Sequence, residues 1–358
     1  MVNHISTKKN ARPVAVDLFA GGGGLSLGLQ QAGYFVCAAV EVESVACATY
    51  SANHRGTVLF QRDIRQICGE ELIRTSPKKE IDLIAACPPC QGFSSLTSKY
   101  RKDDIRNELI FEFVRIVEEI RPNNIMMENV PGLMKKGALL FNKAMSDLKA
   151  MGYFLNHDVL NVSDYGVPQT RKRLVVLGSL AGKVDMPHPT HGPGRKPRIT
   201  VRDAIEGRLA PIKLKDSEIL GGPEKVNWNV VRNLTPLSVA RLRATKAGAS
   251  RVQLPEDLRP SCHKGTYAGF SNVYGRMSWD EPSPTITGGC TTLSKGRFGH
   301  PSLLRTISVR EAALLQSFPE SYKLKSHKME RVCDVIGNAL PPRFAKAMAK
   351  SFVKKDLE

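Results

Sequence analysis

Two cysteines three residues apart, Cys87 and Cys90, occupy the stretch Ala86-Cys87-Pro88-Pro89-Cys90-Gln91-Gly92-Phe93-Ser94, just past an apolar run. Such a pair admits three chemistries. Redox exchange expects it after the first strand of a thioredoxin-like unit, whereas here it follows a later one. Zinc needs a second ligand pair, and Cys262-His263 is a poor substitute. The third is a single nucleophilic thiolate in a proline-stiffened turn, with the other cysteine incidental. These residues alone leave the three open.

Glu128-Asn129-Val130 shifts the balance towards the nucleophile. It ends the strand that follows the next helix, so on parallel neighbouring strands Cys90 and Glu128 emerge at one carboxyl edge, where such sheets bind ligands. A lone glutamate there is most often a helix cap or half of a surface ion pair. A thiol and a carboxylate side by side are harder to dismiss. In Gln169-Thr170-Arg171-Lys172-Arg173, the two arginines are two apart in an extended chain and face one way. Paired guanidiniums suit a phosphate or a carbonyl oxygen, although a solvated basic edge strand looks the same in sequence.

Asp17-Leu18-Phe19-Ala20-Gly21-Gly22-Gly23-Gly24 runs from a strand into a helix. Glycines there let a ligand approach the backbone, and the helix start favours an anionic group. Glu41 ends the next strand, where an acid commonly binds a ribose, and Asp63 follows the third extended segment. An adenosine-type ligand fits this arrangement. The glycines alone would equally serve a dinucleotide, or a tight turn with no ligand.

These groups need a scaffold. Val14–Phe19, Phe35–Glu41, Asp82–Ala86, Ile125–Glu128 and Arg171–Leu177 read as strands. Apolar residues at helical spacing follow Leu25 and fill Asn107–Ile120, which Arg121-Pro122 ends. The alternation predicts a doubly wound α/β fold, a parallel sheet covered on both faces. The proline-rich and glycine-rich stretch Met186–Thr200 reads as a linker, and further helices are expected at Ser308–Ser317 and Pro342–Phe352.

The chain has 358 residues, of which 42% are hydrophobic and 24% charged, enough for two domains with cores. No apolar run reaches the length of a membrane span, and the polar, basic N-terminus does not resemble a secretory signal. A soluble, cytoplasmic protein with reduced cysteines is expected. There are 52 Lys and Arg against 34 Asp and Glu, a formal charge of +18. That surplus favours a polyanionic partner, nucleic acid ahead of an anionic membrane surface. Residues 181–330 carry 24 of the basic residues against 13 acidic ones, as a recognition domain would.

Five segments in order resemble the DNA cytosine-5 methyltransferases of restriction-modification systems. They are Phe19-Ala20-Gly21-Gly22-Gly23-Gly24, Pro89-Cys90-Gln91, Glu128-Asn129-Val130, Gln169-Thr170-Arg171-Lys172-Arg173 and Gly337-Asn338-Ala339. The stretch Arg305–Tyr322, with Leu315-Gln316-Ser317-Phe318-Pro319, looks like the motif before the last one. Each alone is weak; together they are specific. Roughly residues 185–275 lack a firm counterpart, where the family carries its variable target-recognition domain.

The resemblance implies S-adenosylmethionine as cofactor and a cytosine flipped out of double-stranded DNA as target. Phe19, Gly21, Gly23 and Gly24 would wrap the cofactor, with Glu41 on the ribose, Asp63 on the adenine, and Leu109 and Asn338 closing over it. Cys90 would add to carbon 6 of the ring, Glu128 and Arg173 would hold the base, and Arg171 would support them. No metal is expected. Residues 1–180 would form the cofactor domain and 181–330 the smaller inserted recognition domain. Residues 331–358 would return to the first. The basic stretch Ser94–Arg106, with Lys99, Arg101, Lys102 and Arg106, would be a loop gripping DNA phosphates.

Two positions depart from the family pattern. Cys87 stands where a small residue such as glycine is usual, and it is expected to be dispensable. Val42 follows the ribose acid where a bulkier side chain is common. A monomer is the default, with a cognate restriction endonuclease as a possible companion. An RNA cytosine methyltransferase and a catalytically silent DNA-binding regulator are the rival readings. The recognised DNA sequence is not legible, and although Arg276, Thr285, Gly288 and Gly289 lie in the expected region, no base is assigned to them.

Overall fold

The computed structural model describes residues 12–89, 105–261 and 270–353. Cys90, Lys99, Arg101, Lys102 and the Cys262-His263 pair therefore lie outside the described residues. Seven strands form one sheet: β1 (Val14–Leu18), β2 (Phe35–Val40), β3 (Val58–Phe60), β4 (Leu83–Ala86), β5 (Asn124–Asn129), β6 (Phe154–Asn161) and β7 (Lys172–Ser179). Their order is β3-β2-β1-β4-β5-β7-β6, and β1 to β5 run parallel. β1 and β4 are buried along their whole length, which suits their apolar sequences, interrupted only by Asp17 in β1.

The pleat sorts side chains between two helical layers. Val14, Val16, Ile84, Met127 and Val176 face α3 (Gly69–Arg74), α4 (Leu109–Ile120) and α5 (Ala138–Ala150). Ala15, Ala85, Met126, Val175 and Leu177 face α1 (Gly24–Gln31) and the C-terminal α11 (Pro342–Ala349). α2 (Ser44–Asn53) contributes Tyr50 against Ala39. α1 and α11 touch closely at Gly28, where a Cβ would fall 2.4 Å from that of Ala345 and 2.6 Å from the Pro342 carbonyl oxygen.

The expectation of a wholly parallel sheet is corrected at its far edge. β7 runs antiparallel to both β5 and β6. Only a short 3-10 turn, Val162–Tyr165, and a brief loop join β6 to β7, too little chain for the crossover a parallel partner requires. β6 itself was not anticipated. Its sequence FLNHDVLN has polar residues at its middle, as suits a half-exposed edge strand. The reversal matters for the site, because it brings the start of β7 to the carboxyl end of β5.

Beyond residue 180 regular structure is sparse. A two-stranded parallel ribbon pairs β8 (Ile212–Lys213) with β9 (Val230–Val231). Around it lie α6 (Val201–Ile205), α7 (Leu214–Ser217) and α8 (Pro236–Ala244), followed by α9 (Val309–Leu315) and α10 (Met329–Asn338). A second core gathers Val201, Trp228, Ile286, Phe298, Ala312 and Val332. Thr200 and Ser308 start α6 and α9 with reciprocal capping boxes to Asp203 and Glu311. Among the described residues no helix is long and apolar enough to cross a membrane.

Candidate active site at the carboxyl edge of the sheet

From β1 the chain passes to β2 on one side, and from β4 to β5 on the other. The crevice at that reversal is where open α/β sheets bind ligands. Leu18 pairs with Ala86 and Ala86 with Met127, so the segments that follow β1, β4 and β5 leave the sheet side by side.

The first is the glycine-rich turn. Phe19 adopts a left-handed backbone, φ 60°, which is unusual for a bulky residue and marks a constrained loop. Gly21 (φ 53°) and Gly23 (φ 91°) are also left-handed. They differ in surroundings. A Cβ on Gly21 would meet nothing within 4 Å, so that backbone borders open space. A Cβ on Gly23 would collide with His54 Nε2 at 2.3 Å, and one on Gly24 with the Leu340 carbonyl oxygen at 2.3 Å. The loop thus rests on His54 and the C-terminal segment below it and is open above.

The expected cofactor acids line the same edge. Glu41, just past β2, accepts the Gly21 N–H on Oε2 at 2.8 Å and the Val42 and Glu43 N–H groups on Oε1. It ties two strand ends together. Asp63 caps a 3-10 turn, accepts from the Arg65 backbone and pairs with the Arg65 guanidinium, whose hydrogen bond holds its carboxyl below the usual range. Leu109 begins α4 half-buried, Asn338 is exposed at the end of α10, and Val42 is exposed.

On the neighbouring strand ends, Arg173 Nε lies 2.5 Å from Glu128 Oε1, and both side chains are close to buried. Burial lowers the pKa of the Arg173 guanidinium, an effect that Glu128 opposes. Arg171 lies deeper and is buried. Its Nη1 donates to the Ile286 and Gly337 carbonyl oxygens at 3.2 and 2.9 Å, and burial, then Arg173, pushes it well below its ordinary range. It is a support between segments rather than a group on the open face. Cys87 is half-buried beside Glu128, and burial foremost, with that carboxylate second, pushes its thiol well up. Asn129 Nδ2 holds the Pro88 carbonyl oxygen at 3.2 Å, fixing the main chain that leads to Cys90.

Several residues in this edge escaped sequence reasoning. Asp17 is fully buried; Ser26 Oγ donates to its Oδ2 at 2.6 Å, and its Oδ1 has no partner. Burial raises its pKa to about 7, with the Ser26 hydrogen bond opposing. The available signal was an acid inside the apolar strand Val14–Leu18. Tyr322 donates to the Gly22 carbonyl oxygen at 2.5 Å and lies 2.9 Å from His54 Nε2. Gln169 accepts the Ile286 N–H and donates to Gln316, which in turn donates to the Ile336 carbonyl oxygen. No local pattern announces contacts so distant in sequence. Thr285 donates to the Thr170 carbonyl oxygen. Arg276 is buried and donates to the carbonyl oxygens of Leu242, His300 and Leu303, a structural use.

Comparison with known proteins agrees with this geometry. Residues 14–354 match the family of C-5 cytosine-specific DNA methylases. The chain is 37% identical over 350 residues to the type II methylase M.HgiDII of Herpetosiphon aurantiacus, covering 96% of this chain and 95% of that one. It is 33% identical over 343 residues to the type II methyltransferase M1.HphI of Haemophilus parahaemolyticus, covering 95% and 86%. Among solved structures, a candidate DNA modification methyltransferase from an E. coli prophage superposes with a TM-score of 0.72 at 26% identity, covering 95% of this chain and 98% of that one.

Proposed function

The chain belongs to the C-5 cytosine-specific DNA methylases, and from that membership we propose that it acts through a covalent adduct between Cys90 and a cytosine flipped out of duplex DNA. The observation that carries this reading is the near-buried Glu128–Arg173 pair beside the glycine loop. The family's methyl donor is S-adenosylmethionine, and it supplies an electrophilic methyl group when bound. The residues present fit it. Gly21 borders open space, Asp17 leaves a buried oxygen unpartnered, and the glycine turn, Glu41 and Asp63 share one edge. Phe19, Gly21, Gly23 and Gly24 would wrap it, with Glu41 at the ribose, Asp63 at the adenine, and Leu109 and Asn338 over it.

Carbon 5 of cytosine is a weak nucleophile. Addition of the Cys90 thiolate to carbon 6 makes the ring electron-rich. Glu128 in its protonated form donates to ring N3 and accepts from the exocyclic amine. Arg173, with Nε on Glu128 Oε1 and Nη1 on the Lys172 carbonyl oxygen, both orients that carboxyl and offers an N–H of Nη2 to the ring carbonyl. After transfer, loss of the carbon 5 proton and expulsion of Cys90 free the base. Arg171 is a positioning residue, joining this edge to the Ile286 and Gly337 segments.

Residues 1–180 would then be the cofactor domain, 181–330 the recognition domain and 331–358 the returning segment. The packing of α11 on α1 supports the return of the last helix, whereas α10 shares the second core through Val332, Cys333 and Ile336. The type II names of the relatives support a cognate restriction endonuclease as companion, and a monomer is the default.

The test is transfer of labelled methyl from S-adenosylmethionine to unmethylated genomic DNA, mapped for 5-methylcytosine, with Cys90→Ala and a tRNA substrate alongside. Methylcytosine at one short recurrent sequence, lost in the variant, is expected. Transfer to tRNA alone, or tight duplex binding without transfer, would overturn it in favour of the RNA enzyme or the silent regulator.

A further inference from the structure

Cys87 is the one residue of the Cys-x-x-Cys pair that the reaction leaves without a task. Its placement is set by the sheet. Ala86 pairs with Met127, so the next residue on each strand, Cys87 and Glu128, lie opposite one another as β4 and β5 leave the sheet. The alternation of the pleat puts them on the same side, the side that carries Ala85, Met126 and Val175, and Cys87 packs with that layer. The main chain at this point is held from two directions. The Cys87 N–H donates to the Leu18 carbonyl oxygen at 3.2 Å, and Asn129 Nδ2 grips the Pro88 carbonyl oxygen at 3.2 Å. The main chain of Cys87 is therefore held opposite Glu128 by fixed backbone contacts.

Glu128 needs such a partner. Arg173 Nε approaches Oε1 at 2.5 Å, and a second donor on the carboxyl group would fix its rotation about the terminal torsion. We propose that Cys87 is a positioning residue, whose S–H donates to the Glu128 carboxyl group and, with Arg173, fixes the plane in which that carboxyl meets the cytosine edge. Burial and the facing carboxylate keep the thiol protonated, so it serves as a donor and does not compete with Cys90 as nucleophile. This extends the reading of Glu128 as the base-binding acid and rests on it. It also revises the expectation that Cys87 is dispensable.

The experiment compares Cys87→Ala, Cys87→Ser and Glu128→Gln with the parent. Each full-length protein is used with labelled S-adenosylmethionine and unmethylated genomic DNA. Single-turnover transfer rates, cofactor and DNA dissociation constants, and melting temperature are recorded. Cys87→Ala should slow transfer about tenfold, the scale of one lost hydrogen bond to a charged group, with both dissociation constants within about twofold of the parent. Cys87→Ser keeps a donor of similar size and should restore most of the rate. Equal rates for Cys87→Ala and the parent would overturn the proposal. So would equal losses in the Ala and Ser variants, which would indicate packing alone. Glu128→Gln reports on the underlying reading separately: if it transfers methyl at the parental rate, the role of Glu128 fails whatever the Cys87 variants do. Were Cys87→Ala too unstable to assay, the ratio of the Ser variant to the parent decides, a loss beyond about tenfold counting against a donor role.

Discussion

Arg173 and Glu128 meet at 2.5 Å because β7 runs against β5, so that the first residues of one strand lie beside the last residues of the other. Had β7 been parallel, Arg173 would stand at the opposite edge of the sheet from the glycine loop. The antiparallel insertion of one strand therefore assembles the pair proposed to bind the base.

Removing one member of that pair leaves the other close to buried without a counter-charge. Arg173→Ala should lower kcat/KM for methyl transfer at least a hundredfold and destabilise the fold by about 3 kcal/mol. Steady-state kinetics and urea unfolding measure the two effects. Loss of activity without loss of stability would mean that Glu128 finds solvent in the variant.

The two left-handed glycines should separate folding from cofactor binding. Gly21→Ala meets open space and should cost only about 1 kcal/mol of stability, yet intrude where S-adenosylmethionine is proposed to lie and weaken its binding at least tenfold. Gly23→Ala drives a methyl group into His54 and should destabilise the protein itself by more than Gly21→Ala does. Calorimetric titration and thermal melts of both variants test this. Undiminished cofactor affinity in Gly21→Ala would place the ligand elsewhere.

Asp17 gives stability a distinctive dependence on pH. Its carboxyl is raised from 3.8 to about 7 in the folded state, so the unfolded chain gives up this proton first. The resulting cost is full above about pH 7 and fades as pH falls towards 4. His54 acts in the opposite direction. Burial lowers it to about 4, so its contribution is intact above pH 6.5 and is lost as pH falls towards 4. Asp17→Asn should therefore be more stable than the parent at pH 8, on the order of a few kcal/mol, with the gain shrinking to nothing near pH 4. Denaturant unfolding across that range checks the slope, and a gain independent of pH would mean that Asp17 is charged in the folded protein.

The formal charge of +18 should appear as salt sensitivity in DNA binding. Affinity for duplexes of any sequence is expected to fall by orders of magnitude between 50 and 200 mM salt, following counterion release. A nearly flat dependence, read by fluorescence anisotropy, would count against a basic DNA-binding surface.

Much of the site was legible along the chain because its parts are local. A glycine turn after a buried strand, an acid at the next strand end, and Glu128-Asn129 closing a third are each set by backbone geometry within a few residues. The alternation of apolar runs with helical spacing likewise announced the two-layered sheet. β6 was hidden because an edge strand buries too little to need a continuous apolar run.

The sequence by itself determined which chemical groups the molecule carries and which strand ends present most of them, since strand and helix periodicities follow from local steric rules. Only the tertiary structure decided how they combine. It reversed β7 and so set Arg173 on Glu128. It turned Arg171 from the open face to the Ile286 and Gly337 carbonyls, and it buried Asp17 with an unpartnered oxygen. It also seated the glycine turn on His54 and Tyr322, far apart along the chain. The physical reason is common to these cases. Desolvation, the choice of hydrogen-bond partner and the direction of a strand depend on what packs from distant segments, and no local pattern encodes that neighbour.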